Sequence, residues 1–425
     1  MAFSFSVDRL RFLRNRLRDR LWVKPLVVCL LSIATAFIAK LADGSGLMAF
    51  VPEIAVGSLE TLLSIMAASM LVIATFSVAS MVSAYAAAGS TATPRSFPVV
   101  VADDASQNAL STFVGSFIFS IVALTAVKND YYAAAGLFIL FVLTVFVFSV
   151  VIVTFVRWVD NIARLGRLGS TIRKVEQAAE AALRRRRATP WLGGVAAQGK
   201  PCGTAVFAAR VGYVQHIDVA ALQCWAEERQ ARVLVAALPG TFAAPGRALA
   251  YIRDDGGDGA EQDGEAVAAA FQIGRERLFD DDPRFGLVVL SEIAGRALSP
   301  AVNDPGTAID IVGTLLRLFV LWNAPSKEVD EQVPLHDRVE VPEVSLRDMF
   351  DDAFTAIGRD GAGVVEVSVR LQKALRALAA VGDTEMRNAA LYHARLALKR
   401  AEMALAVDED LAALQSAARP PEAAA

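Results

Sequence analysis

Four long apolar stretches crowd into the first 160 of the 425 residues, and nothing else limits the possible folds as strongly. They run roughly from Trp22 to Ala42, Leu59 to Ala88, Ala109 to Val127 and Ala133 to Val156. Each reaches the roughly 20 residues that a helix needs to cross about 30 Å of hydrocarbon. The second is longer than that and implies tilt or projection beyond the bilayer. The first does not read as a cleaved signal peptide, because no small-residue cleavage site follows it and three more stretches remain. The expectation is four transmembrane helices.

Basic residues set the orientation. Arg9, Arg11, Arg14, Arg16, Arg18, Arg20 and Lys24 precede the first stretch or open it. Arg157, Arg164, Arg167, Arg173, Lys174 and the run Arg184 to Arg187 follow the fourth. The segment from Asp43 to Ser58 has no Lys or Arg, and the turn near Asn129 has only Lys128. Both termini are therefore expected on the cytoplasmic side. The basic N-terminus also suits contact with anionic lipid. Net charge is −3, so bulk electrostatics argues neither for nucleic acid nor for an acidic substrate, and no nucleic-acid partner is expected. The basic face from Arg157 to Arg187 reads as juxtamembrane anchoring.

Within the second stretch, Ser69, Ser80, Ser83 and Ala87 fall on one helical stripe together with Phe76. Two readings stay open. Small residues and hydroxyls pack membrane helices closely, and hydroxyls also line wet paths. Glu60 opens this stretch at the interface, and no stretch carries a charge at mid-depth, which argues against an ion pump. In the third stretch, Gly115 invites close approach of a neighbouring backbone.

The remainder reads as a cytoplasmic α+β domain. An amphipathic helix is expected to continue out of the fourth span over about Asp160 to Ala182. Short strands follow at Ala205 to Val211, Arg232 to Leu238, Ala248 to Ile252 and Phe271 to Glu276, with a helix from Asp218 to Gln230. Three or four strands would form a small mixed sheet. Residues 254–264 are acidic and Gly-rich, as a loop would be. Asp280 to Leu318 reads as helix, break, helix. Asp304 serves as N-cap and Pro305 as first residue of the second helix. A strand at Val339 to Val341 and helices from Ser345, Gly363 and Thr384 complete the chain. Ser345 with Asp348 resembles a capping box. The implied segments are a basic N-terminus (1–21), a four-span part (22–159), a helix and linker (160–200), an α+β part (201–279), the helix–break–helix motif (280–322), a strand with C-terminal helices (323–418) and a tail (419–425).

Chemistry is harder to find. Cys29, Cys202 and Cys224 are scattered, as are His216, His336 and His393, so no metal-ligand spacing appears. No phosphate-binding Gly-rich loop with its Lys, no nucleophile elbow and no H-E-x-x-H is present. No enzyme, cofactor or metal is expected. Arg296, Asn303, Asp304, Thr307 and Asp310 could gather at the helix break around a small anion. With Asp280, Asp281 and Asp282 they could instead hold a divalent cation. They could also be caps and ion pairs only.

One resemblance ties these pieces together. The run from Ile273 through GRERLFDDDPRFGL to RALSPAVNDPGTA, ending at Ala308, resembles the bacterial integral membrane family known as domain of unknown function 2254. So do Gly212-Tyr213-Val214 with Ile217-Asp218, the turn Gly240-Thr241-Phe242 before Gly246, and Phe113-Val114-Gly115-Ser116-Phe117. The family's Ser-Pro-Arg-Leu-Leu is replaced here by Thr93-Pro94-Arg95-Ser96-Phe97. The resemblance implies a membrane protein and carries no activity. The reading of the residues is a homo-oligomeric, channel-like or transport-related assembly regulated by its cytoplasmic domain. The alternative is a non-conducting scaffold or sensor that binds a partner or a small anionic ligand.

Overall fold

The structure is a computed structural model that describes residues 22–41, 43, 52, 54–101, 103–164, 167–199, 202–254, 264–324 and 334–419. The arginines from Arg9 to Arg20, most of the acidic Gly-rich segment and all but the first residue of the C-terminal tail lie outside the described residues. The chain forms two compact units, divided between Thr171 and Ile172.

The first unit is helical. Its long helices are α1 (Val23–Leu41), α2 (Val56–Thr91), α4 (Asp104–Lys128) and α5 (Ala134–Arg164), with the five-residue α3 (Phe97–Val101) between α2 and α4. α4 is the hub and packs on α1, α2 and α5. Its composition explains why. Ser111, Ser116, Ser120 and Gly115 face inward alongside Phe113 and Phe119. The Ser111 and Ser120 hydroxyls donate to Gln107 and Ser116 carbonyls one turn back, at 2.7 and 2.8 Å. Small side chains let the backbones approach, which is how helices associate where no water drives them together. Gly115 is required here: a Cβ would lie 2.4 Å from Val28 Cγ1 of α1. Asp43 caps α5, its carboxylate accepting the Ala133 and Gly136 N–H groups at 2.9 and 2.6 Å.

α5 does not continue as expected. Its described residues end at Arg164, Arg167 is not helical, and α6 runs from Leu168 to Ala188. α6 thus passes through the arginine run that was expected to lie beyond it. Val175, Ala179, Ala182 and Leu183 bury its apolar face.

The second unit holds more strand than the sequence suggests. Strands β1 (Val195–Ala196), β2 (Thr204–Phe207), β3 (Gly212–Ile217), β4 (Ala231–Val235), β5 (Phe242–Ala243), β6 (Ala248–Asp254), β7 (Phe271–Gly274) and β8 (Val339–Val341) form two sheets. One has the order β1-β8-β4-β6-β2 and the other β5-β3-β7. The expected single sheet of three or four strands is corrected on both counts. β3 escaped notice because it opens on Gly212 and carries Gln215 and His216, which blur any alternation. The two-residue β1 and β5 are too short to leave a period. Helix α7 (Val219–Arg229) links β3 to β4, and α8 (Gly264–Ala269) precedes β7. Asp218 caps α7 by accepting the Ala221 N–H at 3.1 Å.

Then come α9 (Phe285–Ala297), α10 (Pro305–Asn323), α11 (Leu346–Asp360), α12 (Val365–Val381), α13 (Thr384–Ala404) and α14 (Asp408–Ala418). α10 is a fifth helix long and apolar enough to cross a bilayer. It packs on α9 and α12 and buries Ile311, Val312, Leu315, Leu318 and Phe319. Phe319 meets Phe350 and Phe354 of α11 at ring-centroid distances of 4.4 and 5.5 Å.

Candidate functional site

The motif segments converge on Asp282. This carboxyl is 2% exposed. Arg277 grips it bidentately at 2.7 and 3.1 Å. Its Oδ1 also accepts the backbone N–H groups of Arg284 and Phe285 at 3.0 and 3.2 Å, so it caps α9 from two residues before the N-cap. Burial pushes this carboxyl up, against the pull of Arg277 and the backbone. The distant Gly240 turn fits against it: Gly240 has φ +91°, and a Cβ there would lie 2.2 Å from Asp282 Oδ2. Two segments more than 30 residues apart in sequence are thus locked by one side chain.

The neighbouring carboxylates have other partners. Asp281 Oδ2 lies 2.7 Å from His216 Nδ1, so His216 does more than fill space. The three aspartates therefore do not assemble as a cation cage. Among the described residues no group of three His, Cys, Asp or Glu side chains is arranged to hold a metal.

The helix break holds a cap. Asp304 accepts the Thr307 N–H at 3.1 Å and its hydroxyl at 2.6 Å, which hold the Asp304 carboxyl below the usual range. Pro305 is the first residue of α10, as expected. Asn303 takes φ +49°, a left-handed turn that Asn tolerates. Arg296, Asn303 and Asp310 lie exposed. Of the five residues expected there, the structure joins Asp304 and Thr307.

A cavity of about 440 Å³ opens beside the Asp282 cluster. The segment from Ala236 to Phe242, Arg247, the start of α9 and the chain from Pro342 to Ser345 line it, and α6 adds Arg186. Four arginines contribute: Arg186, Arg247, Arg277 and Arg284. Arg284 is held by Asp352 and Asp348, each at 2.7 Å. Asp348 thus serves Arg284, while its N–H completes the Ser345 cap at 3.2 Å. The expected capping box is formed on that side only. Arg186 differs from the rest. It is 4% exposed, its Nη1 reaches the Pro190 carbonyl only at 3.5 Å, and its Nη2 has no hydrogen-bond partner. Burial pushes its guanidinium down to about 10, with Asp281 and Asp282 pulling the other way.

Sequence reading missed Arg186, because the run Arg184 to Arg187 looks like a solvated basic face. Its members do different things. Arg184 pairs with Glu180 at 2.7 Å. Arg185 donates to the Phe279 and Asp280 carbonyls, and Arg187 to the Ala324 carbonyl. Arg185 and Arg187 are thus tied to backbone carbonyls of their own unit.

The stripe on α2 points the other way from α4's. Ser69, Ser83 and Phe76 are exposed and Ser80 is half-buried, while Leu63, Met66, Met70, Ser77 and Met81 face the unit's interior.

Comparison with known proteins places these features in a family. The profile of predicted membrane proteins called domain of unknown function 2254 matches residues 18–377. The chain belongs to this family. The match takes in the apolar helices, the Gly240 turn, the Asp282 cluster and the helix break. Uncharacterized proteins of Mycobacterium tuberculosis and Mycobacterium bovis are each 35% identical over 104 residues, 24% of this chain and 20% of theirs. The matched segment thus spans about a fifth of those relatives' length. No solved structure matches the chain.

Proposed function

We propose that this family member is a bacterial inner-membrane protein with four spans, α1, α2, α4 and α5, and with both termini in the cytoplasm. Several copies associate through the outward face of α2 into a channel-like or transport-related assembly that the soluble unit regulates. The count of four is supported by α10, which buries Ile311, Val312, Leu315, Leu318 and Phe319 within its own unit and carries Asp310 and Arg317 on its exposed side. The orientation is supported by the basic residues flanking the first and fourth spans.

The observation that carries the assembly is the exposed face of α2. Ser69, Ser83 and Ala87 offer a neighbour the same close approach that α4's small residues give inside the chain. Four spans enclose no path by themselves, so conduction needs several copies around an axis. The test is flux across liposomes containing the purified chain, beside a Ser69→Trp variant. Flux that this variant blocks while the assembly stays intact supports a path lined by α2. Absence of flux across salts, pH values and voltages contradicts conduction. The second reading is then a non-conducting scaffold or sensor, and the cavity beside Arg186 favours it.

A further inference from the structure

Arg186 poses a problem that the fold does not solve. A buried cation is costly unless it is paired and hydrogen-bonded. Here Nη2 is buried without a hydrogen-bond partner, and the Arg186 side chain lines an open, polar cavity. Asp281 and Asp282 act on Arg186 electrostatically without hydrogen-bonding it, the exposed Glu343 shares the cavity wall, and the other acids there are engaged elsewhere. Asp282 is held by Arg277, Asp281 faces His216, and Asp348 and Asp352 hold Arg284.

Two helix N-termini meet the same cavity. Pro283 and Arg284 lead into the 13-residue α9, and Ser345 caps the 15-residue α11. The α11 terminus brings roughly half a positive charge from its aligned peptide dipoles, whereas the first N–H groups of α9 are already taken by the Asp282 carboxyl. Arg247, exposed at the cavity wall, makes no ion pair among the described residues and donates only to the Phe242 carbonyl at 3.4 Å. Partial and full positive charge thus approach one space from several directions. That arrangement matches a tetrahedral oxyanion, with acceptor oxygens pointing several ways, better than a planar carboxylate with two. The volume exceeds that of a bare phosphate and lies within the range of small-molecule sites.

We propose that this cavity binds a small polar molecule through a phosphate group, with the buried Arg186 guanidinium and Arg247 as its charged donors. The inference stands on the cavity alone and is independent of the assembly proposed above. Glu343, exposed at the rim, disfavours ligands whose charge extends toward it.

The test uses the full chain in detergent, dialysed into chloride buffer and titrated calorimetrically with inorganic phosphate. One phosphate per chain is expected. Arg186→Met should weaken it by roughly ten- to a hundredfold, the loss of a charge-assisted hydrogen bond. Its melting temperature without phosphate should stay equal or rise, since the variant removes a buried charge that lacks a full set of hydrogen bonds. Arg247→Met, at an exposed position, keeps the proposal testable if Arg186→Met does not fold, and should also weaken phosphate. No heat from wild type at millimolar phosphate overturns the proposal, as does phosphate binding that neither variant changes. Equal binding of succinate overturns the phosphate class. Competition by glycerol phosphate assigns a soluble source, and competition by short-chain phosphatidic acid alone assigns a lipid headgroup. Either result upholds the shared chemistry.

Discussion

α2 and α4 both carry serines and alanines at helical spacing, yet they use them in opposite ways. On α4, Ser111, Ser116 and Ser120 are buried among α1, α2 and α5, and Gly115 admits Val28. On α2, Ser69 and Ser83 are exposed. The second unit shows the same division. Asp282 has every partner it needs within the chain, whereas Arg186 beside it is buried with one nitrogen unmatched. Polar groups of one chemistry thus fall into two sets, those the chain satisfies itself and those it leaves for something else. The first set builds the fold, and the second points to assembly and ligand.

The comparison is sharpened most by removing a satisfied group. Asp282→Ala leaves Arg277 without its bidentate partner and strips the start of α9 of its cap. The expected loss is about 3–5 kcal/mol, the cost of breaking a buried pair, read as a fall in the chemical-denaturation midpoint of the purified chain. A change under about 1 kcal/mol would place Asp282 among the dispensable groups.

A smaller effect is expected in the membrane unit. Gly115→Leu forces a side chain into Val28 and should destabilise the unit by about 1–3 kcal/mol, the usual cost of overpacking. Ser69→Leu on the outward face of α2 should change the stability of a single chain by less than about 0.5 kcal/mol. Thermal melts in detergent compare the two. Equal effects would erase the distinction between α4 and α2.

Some of this division was legible in the sequence. The apolar stretches announced the long helices, since roughly 20 apolar residues in a row serve few other purposes. Asp304-Pro305 announced the start of α10, and Gly115 its close contact, because caps and close approaches depend on local chemistry. Which serines face inward was not legible, because α2 and α4 have similar patterns and the choice is made by neighbours distant in sequence. The same holds for Arg184 to Arg187. Four identical residues in a row meet a glutamate, two carbonyls, a cavity and another carbonyl, and only the fold decides which. The pairing of Gly240 with Asp282 is likewise tertiary. β3 was hidden for a different reason, since its buried polar residues removed the alternation that marks a strand.

The most direct test of the account is disulfide cross-linking in native membranes, in a chain first freed of Cys29, Cys202 and Cys224. Single cysteines are placed at Ser69 or Ser83 on α2 and at Ser116 on α4. The account predicts covalent dimers from the α2 positions under mild oxidation and none from Ser116. Dimers from Ser116, or none from either α2 position, would contradict assembly through the second span.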